Sequence, residues 1–110
     1  MKVLNTEEIN KLIDKIVLVY QPEKIILFGS YAIGNANTDS DVDLLIIKQT
    51  HLPRLKRGIE ARKMIDYSIV PMDYVILTPD EYNQNKESIN HIANIATKTG
   101  RLLYDNSKLH

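Results

Sequence analysis

Two aspartates, Asp41 and Asp43, stand two residues apart where a polar loop meets an apolar segment. Strand side chains alternate between faces, so both carboxylates would point the same way, with β-carbons roughly 6–7 Å apart. Like charges this close are costly to bury unless a cation lies between them. Mg²⁺ takes one or two carboxylates and completes its shell with waters and substrate phosphates. The pair therefore predicts a site for Mg²⁺ and a nucleoside triphosphate, with one ion or with two ions about 3.5–4 Å apart.

A third carboxylate would help to neutralise the positive charge of two divalent ions. Asp73, near the start of the segment MDYVIL, can provide it if this segment forms a strand beside that of Asp43. Its predicted role is general base, or ligand of the ion that activates an attacking hydroxyl. Asp66 is the rival candidate, but it falls at the end of a predicted helix. We therefore predict that Asp41, Asp43 and Asp73 are the catalytic and metal-binding residues.

The predicted anion-binding residues lie in the loop before the aspartates. Gly29, directly after an apolar segment, would let a phosphate approach the backbone closely. The N–H groups of Ser30 and Tyr31 would face the anion at the start of a short helical turn, and the Ser30 hydroxyl can donate once more. Gly34 would let the chain turn back toward the aspartates. The segment GSYAIGNA lacks the ending of a Walker A loop and the glycine spacing of a dinucleotide fingerprint.

The composition narrows the class of protein. The chain has 110 residues, and its 14 Lys and Arg are balanced by 14 Asp and Glu. It therefore lacks the basic excess that would indicate a nucleic-acid partner. The absence of cysteine excludes disulfides and thiolate metal sites. No segment resembles a signal peptide or a membrane span. We expect a cytoplasmic protein that contacts neither membrane nor nucleic acid directly.

Four strands are predicted to carry the site. They cover Lys24–Phe28, Asp41–Lys48, Met72–Leu77 and, as a short edge strand, the segment RLLY. The second contains an apolar run without polar alternation, which predicts cover on both faces of the sheet. Alternation of these strands with helices predicts a single α/β domain over residues 1–110, with a mixed sheet flanked by helices. Residues 105–110 are predicted to form a frayed tail.

Helices are predicted between these strands. Asn5 or Thr6 can cap the first, with Glu8 in capping-box position, and Pro22 ends it. The second spans Leu52–Ile65 and has a predicted exposed basic side, which consists of Arg54, Lys56, Arg57, Arg62 and Lys63. The segment TPDE starts the third. Apolar residues from Ile89 to Ala96 indicate a fourth, which Gly100 would close in left-handed geometry.

Taken together, these motifs resemble the minimal nucleotidyltransferase family of the DNA-polymerase-β-like superfamily. The family pattern is Gly-Ser, three residues, Gly, five residues, then Ser-Asp-x-Asp-Leu, and the segment from Gly29 to Leu44 matches it at every spacing. The resemblance extends to Asp73 and, more weakly, to the last helix and the segment GRLLY. It implies the polymerase-β-like nucleotidyltransferase fold, two Mg²⁺ ions on Asp41, Asp43 and Asp73, and ATP as substrate. The implied nucleotide-binding residues are Gly29, Ser30, Tyr31, Gly34 and Ser40.

The resemblance also implies an activity and a partner. Small members of this family often pair with a HEPN ribonuclease toxin and act as antitoxins, and some transfer AMP onto a tyrosine of that toxin. The expected reaction is therefore Mg-dependent AMPylation from ATP, within a hetero-oligomer. Many members carry Arg or Lys at the position of Ile33. Two alternatives stay open: a toxin-neutralising binding subunit with weak or lost catalysis, and a small-molecule nucleotidyltransferase.

Overall fold

The helices and strands follow from the caps and the apolar pattern of the chain. A computed structural model describes residues 3–65 and 71–106. Its helices are α1 (Thr6–Tyr20), α2 (Arg54–Met64), α3 (Pro79–Asn85) and α4 (Ile92–Thr99), and its strands are β1 (Lys24–Phe28), β2 (Val42–Ile47), β3 (Met72–Leu77) and β4 (Arg101–Asp105). Asp66, the rival third carboxylate, lies outside the described residues. No helix among the described residues is long and apolar enough to cross a bilayer.

The four strands form one mixed sheet in the order β3-β2-β1-β4. The inner strand β1 is antiparallel to both of its neighbours, and β2 is parallel to β3. The predicted edge position of β4 is confirmed. Because β2 lies between β1 and β3, the segments that carry the glycine turn, Asp43 and Asp73 are adjacent in the sheet.

Helices cover both faces of the sheet, as the apolar run of β2 predicts. Alternate residues of β2 enter different cores: Leu44 packs with α1 and α2, whereas Leu45 packs with α3 and α4. Both side chains are fully buried. The mixed sheet with helices on each face confirms the predicted α/β class, and it fixes which side chains of β1, β2 and β3 point the same way.

The caps of α1 and α3 form as predicted. Asn5 and Glu8 make a capping box at the start of α1, and Thr78 and Glu81 make another at the start of α3. Helix α1 ends where Gln21 adopts left-handed geometry, with φ of 52°. The ammonium of Lys48, just after β2, donates a hydrogen bond of 2.6 Å to the Tyr20 carbonyl and so ties this helix end to the sheet.

Several predictions are wrong in detail. The second strand is Val42–Ile47 and not Asp41–Lys48, so Asp41 lies outside it and strand alternation does not fix the direction of its side chain relative to Asp43. Arg57 does not lie on an exposed basic side of α2; it is buried, with 6% exposure, and pairs with Glu81. The fourth helix starts at Ile92, because Asn90 has φ of 70°, which breaks a helix, and Ile89 before it is exposed. Gly100 is extended, with φ of −93° and ψ of −177°, rather than left-handed.

The need for glycine at position 100 has a different physical cause. A β-carbon there would overlap the Ala96 carbonyl oxygen and lie 2.6 Å from that of Leu27. The glycine therefore allows close packing of the end of α4 against β1. The following strand β4 extends through Asp105, and the Asn106 N–H donates to the Glu23 carbonyl at 2.7 Å. Two residues of the tail predicted to fray thus belong to the sheet edge, and residues 107–110 lie outside the described residues.

Candidate active site

The register of the sheet brings two of the predicted carboxylates together. Asp43 lies opposite Phe28 of β1 on one side and opposite Asp73 of β3 on the other. Residues directly opposite one another in a sheet share a face, so Phe28, Asp43 and Asp73 form a row across three strands. The condition on which the role of Asp73 depends, that β3 lies beside β2, is therefore met.

This row lies at the open end of the face covered by α3 and α4. Further along β2, the side chains on the same face are Leu45 and Ile47, and both are buried in the core under these helices. Asp43 is only partly buried and Asp73 is exposed. The carboxylates thus stand where the helical cover ends, with apolar side chains behind them and solvent in front.

Asp43 has an uncompensated charge. Its pKa is raised above the ordinary value, first by burial and then by the negative charges of Asp73 and Asp41. No salt bridge among the described residues includes any of these three aspartates. The negative charges of Asp73 and Asp41 therefore add to the cost of ionising Asp43. An external cation would relieve this repulsion.

Gly29, which follows β1, is required by its surroundings and by its backbone. It has φ of 73°, in the left-handed region, and a β-carbon at this position would overlap the Asp43 carboxylate oxygen Oδ2. The glycine backbone therefore lies against the carboxylate with no side chain between them. This contact places the glycine turn and the acidic row in one site.

The turn after Gly29 is closed by hydrogen bonds to the Gly29 carbonyl. The Gly29 carbonyl accepts hydrogen bonds from Ala32 N–H and Ile33 N–H, at 3.0 and 3.3 Å. Within the described part of the chain, the N–H groups of Ser30 and Tyr31 donate no hydrogen bond to the backbone. The Tyr31 side chain is buried in the core on the opposite face, and its hydroxyl accepts from Leu4 N–H. Only the backbone of Tyr31 is available for the predicted role.

Gly34 and Ser40 shape the loop that leads to Asp41. Gly34 has φ of 75°, and nothing lies near the position of an added β-carbon, so it serves the turn and not a close contact. Ser40 contacts the loop itself: its hydroxyl oxygen accepts from Asn37 N–H at 2.9 Å. Ser40 is predicted to contact the nucleotide, but in the structure its hydroxyl is bonded to Asn37 within the loop.

Comparison with known proteins decides the family of this site. A family model described as a nucleotidyltransferase domain matches residues 7–105. The chain belongs to the nucleotidyltransferase domain family. A crystal structure of a predicted nucleotidyltransferase from Sulfolobus solfataricus has a similar fold, with a TM-score of 0.61 at 18% identity, over 91% of this chain and 79% of that one. No significant match was found among curated proteins.

The donor groups of this nucleotidyltransferase fit a divalent cation, although they do not form a finished ligand shell. Hard oxygen ligands suit Mg²⁺, and the glycine backbone beside Asp43 leaves room where any other residue would place a side chain. Among residues 3–65 and 71–106, no three His, Asp or Glu side chains are grouped closely enough to be a complete metal site. The negative charge of these neighbouring carboxylates favours binding of a cation that is already bound to a phosphate group.

One cavity among the described residues does not include the acidic row. It has a volume of about 380 Å³ and lies on the opposite face, between the start of α1 and β4, where Leu27, Arg101 and Leu103 line it. Its lining includes Tyr31 and Gly34 of the glycine loop but no carboxylate. We therefore base the assignment on charge and register and not on concavity.

Two residues near the site were missed by the sequence analysis. Phe28 completes the row with Asp43, and only the antiparallel register of β1 and β2 reveals this. Asn37 holds Ser40, and the spacing Asn-x-x-Ser in a loop is a signal that could have indicated it, because both side chains often bond to nearby backbone.

Proposed function

We propose that this nucleotidyltransferase transfers AMP from Mg·ATP to a tyrosine hydroxyl of a HEPN ribonuclease toxin and thereby acts as its antitoxin. The observation that carries the proposal is the register of Asp43 with Asp73, beside the backbone of Gly29. Motif spacing from Gly29 to Leu44 supports the minimal nucleotidyltransferase subfamily. Nucleotidyl transfer depends mainly on positioning and charge neutralisation, which such a site can supply.

Each residue has a role in this reaction. Asp41, Asp43 and Asp73 would hold Mg²⁺, which when bound neutralises charge on the triphosphate and lowers the pKa of an acceptor hydroxyl. The N–H groups of Ser30 and Tyr31 and the Ser30 hydroxyl would bind the β- and γ-phosphates. The acceptor oxygen forms a bond to the α-phosphorus, the bond from that phosphorus to the bridging oxygen breaks, and pyrophosphate leaves. Asp73, which is exposed, accepts the hydroxyl proton.

A macromolecular acceptor is favoured by the surface near the site. Ile33, in the loop after the glycine turn, is 63% exposed. An exposed apolar side chain close to the glycine turn provides contact area for a protein more readily than for a small polar molecule.

The second candidate is a toxin-neutralising subunit without useful catalysis. The exposed Ile33 favours it, because an apolar residue there offers no charge to phosphate and could contact a partner instead. The intact acidic row favours the enzyme, since these charges have no described role in stabilising the fold.

One assay separates these candidates. The purified protein is incubated with α-labelled ATP, Mg²⁺ and the product of the adjacent gene, with the other three nucleoside triphosphates in parallel. We expect label on a tyrosine of the partner, lost with EDTA and with Asp43→Asn. Tight binding of the partner without label, unchanged by Asp41→Asn or Asp43→Asn, supports the binding subunit. Label on a small hydroxyl compound but not on protein supports the small-molecule enzyme.

A further inference from the structure

We infer that Ser40 is a positioning residue, which acts on the reaction through Asn37 by fixing the start of β2 and hence Asp41, and does not touch the nucleotide. The inference rests on the proposed function, and it gives Ser40 a role different from that implied by the family resemblance. It comes from the hydrogen bonds of the loop between Gly34 and Asp41.

Asn37 and Ser40 bind one another through both backbone and side chain. The Ser40 hydroxyl accepts from Asn37 N–H at 2.9 Å, and Ser40 N–H donates to the Asn37 carbonyl at 3.0 Å. The Asn37 side-chain oxygen accepts from Asp39 N–H at 2.8 Å and lies 3.4 Å from the Ser40 hydroxyl oxygen, which can donate to it. This set of bonds, which we call the Asn37–Ser40 lock, closes the loop immediately before Asp41.

The lock restrains Asp41 on one side and the sheet restrains it on the other. Directly after Asp41, Val42 N–H donates to the Pro71 carbonyl at 3.0 Å, at the entrance to β3. Asp41 itself is exposed and lies outside the strand, so no packed core holds its carboxylate. Its position relative to Asp43 therefore depends on these two flanking bonds.

The hydroxyl chemistry of Ser40 supports a positioning role. The Ser40 hydroxyl contacts Asn37 twice: its oxygen accepts from Asn37 N–H at 2.9 Å, and the Asn37 side-chain oxygen lies 3.4 Å away, a long distance for a hydrogen bond. A phosphate oxygen needs a donor, so it would compete with the Asn37 side-chain oxygen for the single hydrogen of the Ser40 hydroxyl. Ser30 differs, because its hydroxyl has no hydrogen-bond partner among the described residues. The two serines of the motif thus have different roles: Ser30 can bind phosphate, and Ser40 orders the loop.

A double-mutant cycle tests the inference. Affinity for Mg·ATP, and the rate and KM of AMP transfer, are measured for Ser40→Ala, Asn37→Ala and the double variant. Loss of a hydrogen-bonded partner in such a loop should weaken binding about threefold to tenfold. Because both changes open the same lock, we expect the double variant to be no weaker than the worse single one. Ser40→Thr, which keeps the hydroxyl, should bind nearly as the unaltered protein does.

Thr38→Ala is the matched control, since it removes a hydroxyl from the same loop but no described hydrogen bond. Amide exchange gives a readout independent of activity: exchange at Asp39 and Val42 should accelerate in Ser40→Ala and in Asn37→Ala but not in Thr38→Ala.

Either of two results would overturn this inference and leave the proposed function intact. The first is that the losses of Mg·ATP affinity in the two single variants multiply in the double variant, as expected if Ser40 contacts the nucleotide directly. The second is that amide exchange is unchanged in both single variants. An unaltered protein that binds no Mg·ATP would instead overturn the proposed function, and this inference with it.

Discussion

Two acidic side chains, Glu81 of α3 and Asp43 of β2, lie near opposite ends of the sheet and have opposite electrostatic environments. At the far end, Glu81 receives two hydrogen bonds from the Arg57 guanidinium, at 2.6 and 3.2 Å, and one from Thr78 N–H at 2.8 Å. These contacts, led by that of Arg57, lower the pKa of Glu81. At the near end, burial and the neighbouring aspartates raise the pKa of Asp43.

The difference separates a structural charge from a functional one. The Arg57 guanidinium also donates to the carbonyls of Leu52 and Ile76, at 2.8 and 3.1 Å, so it joins α2, β3 and α3 with its hydrogen bonds satisfied. Asp43 has no such partner and is surrounded by like charge. A fold gains nothing from this arrangement, whereas a site that must capture a cation with its phosphate does.

The largest expected effect comes from removing the functional charge. Replacing groups that only support a metal ligand already costs about 10- to 100-fold in affinity or activity. We therefore expect Asp43→Asn to reduce AMP transfer more than about a hundredfold. Label transfer and titration with Mg·ATP measure this, and Asp14→Asn, at an exposed position of α1, serves as the control.

The same variant should not unfold. A carboxylate whose pKa is raised in the folded state stabilises the fold below its ordinary value of 3.8, and this contribution is lost as the pH rises through the folded pKa. At pH 7 Asp43 thus opposes folding, and Asp43→Asn should have an equal or higher Tm. A clearly lower Tm would mark Asp43 as structural and end the contrast with Glu81.

Removing the structural charge partner should have the converse result. Arg57→Met keeps the apolar stem but leaves Glu81 and two carbonyls without their donor. We expect a loss of about 3 kcal/mol in the free energy of unfolding, measured by urea denaturation. Lys56→Met, at the exposed neighbouring position of α2, should change it little. Equal losses in both variants would contradict the assignment of Arg57 as the residue that joins these elements.

The two left-handed glycines offer a narrower test at the acidic end. Gly29→Ala and Gly34→Ala should each lower stability by about 1–2 kcal/mol through backbone strain. Only at Gly29 does the added methyl also meet the Asp43 carboxylate. We therefore expect about a tenfold loss of Mg·ATP affinity in Gly29→Ala and near-normal affinity in Gly34→Ala. Equal affinities in the two variants would show that Gly29 does not share a site with Asp43.

Much of the fold could be predicted because local signals are strong. The bounds of β1 and β3 match the predicted ones, and the capping boxes at Asn5 and Thr78 begin α1 and α3 as expected. The positive φ of Gly34 is also consistent with the predicted turn. These features depend on residues near one another in sequence, which is why one sequence sufficed to find them.

Features that depend on distant parts of the chain were harder to predict. A basic helix pattern indicated that Arg57 is exposed, but Glu81, far along the chain, buries it in an ion pair. Gly100 has the position of a helix-closing glycine, yet its backbone is extended, and close packing against the Ala96 and Leu27 carbonyls excludes a side chain there. The pairing of Asp43 with Asp73 could be stated only as a condition, because the sequence of a strand does not determine which strand lies beside it.

The smallest expected effect is a pH dependence at the structural end. A carboxylate with a lowered pKa stabilises the fold above its ordinary value, which is 4.5 for Glu81, and this contribution is lost as the pH falls through the folded pKa. Glu81→Gln keeps an acceptor for Thr78 N–H but removes the charge. At pH 7 it should lower stability by about 1 kcal/mol, since Glu81 is 35% exposed and solvent screens the pair. Below pH 4.5 the difference from the unaltered protein should shrink toward zero. Unfolding curves from pH 3 to pH 7 measure this. A stability difference between the two proteins that grows on acidification would contradict the opposite directions of the pKa shifts of Glu81 and Asp43.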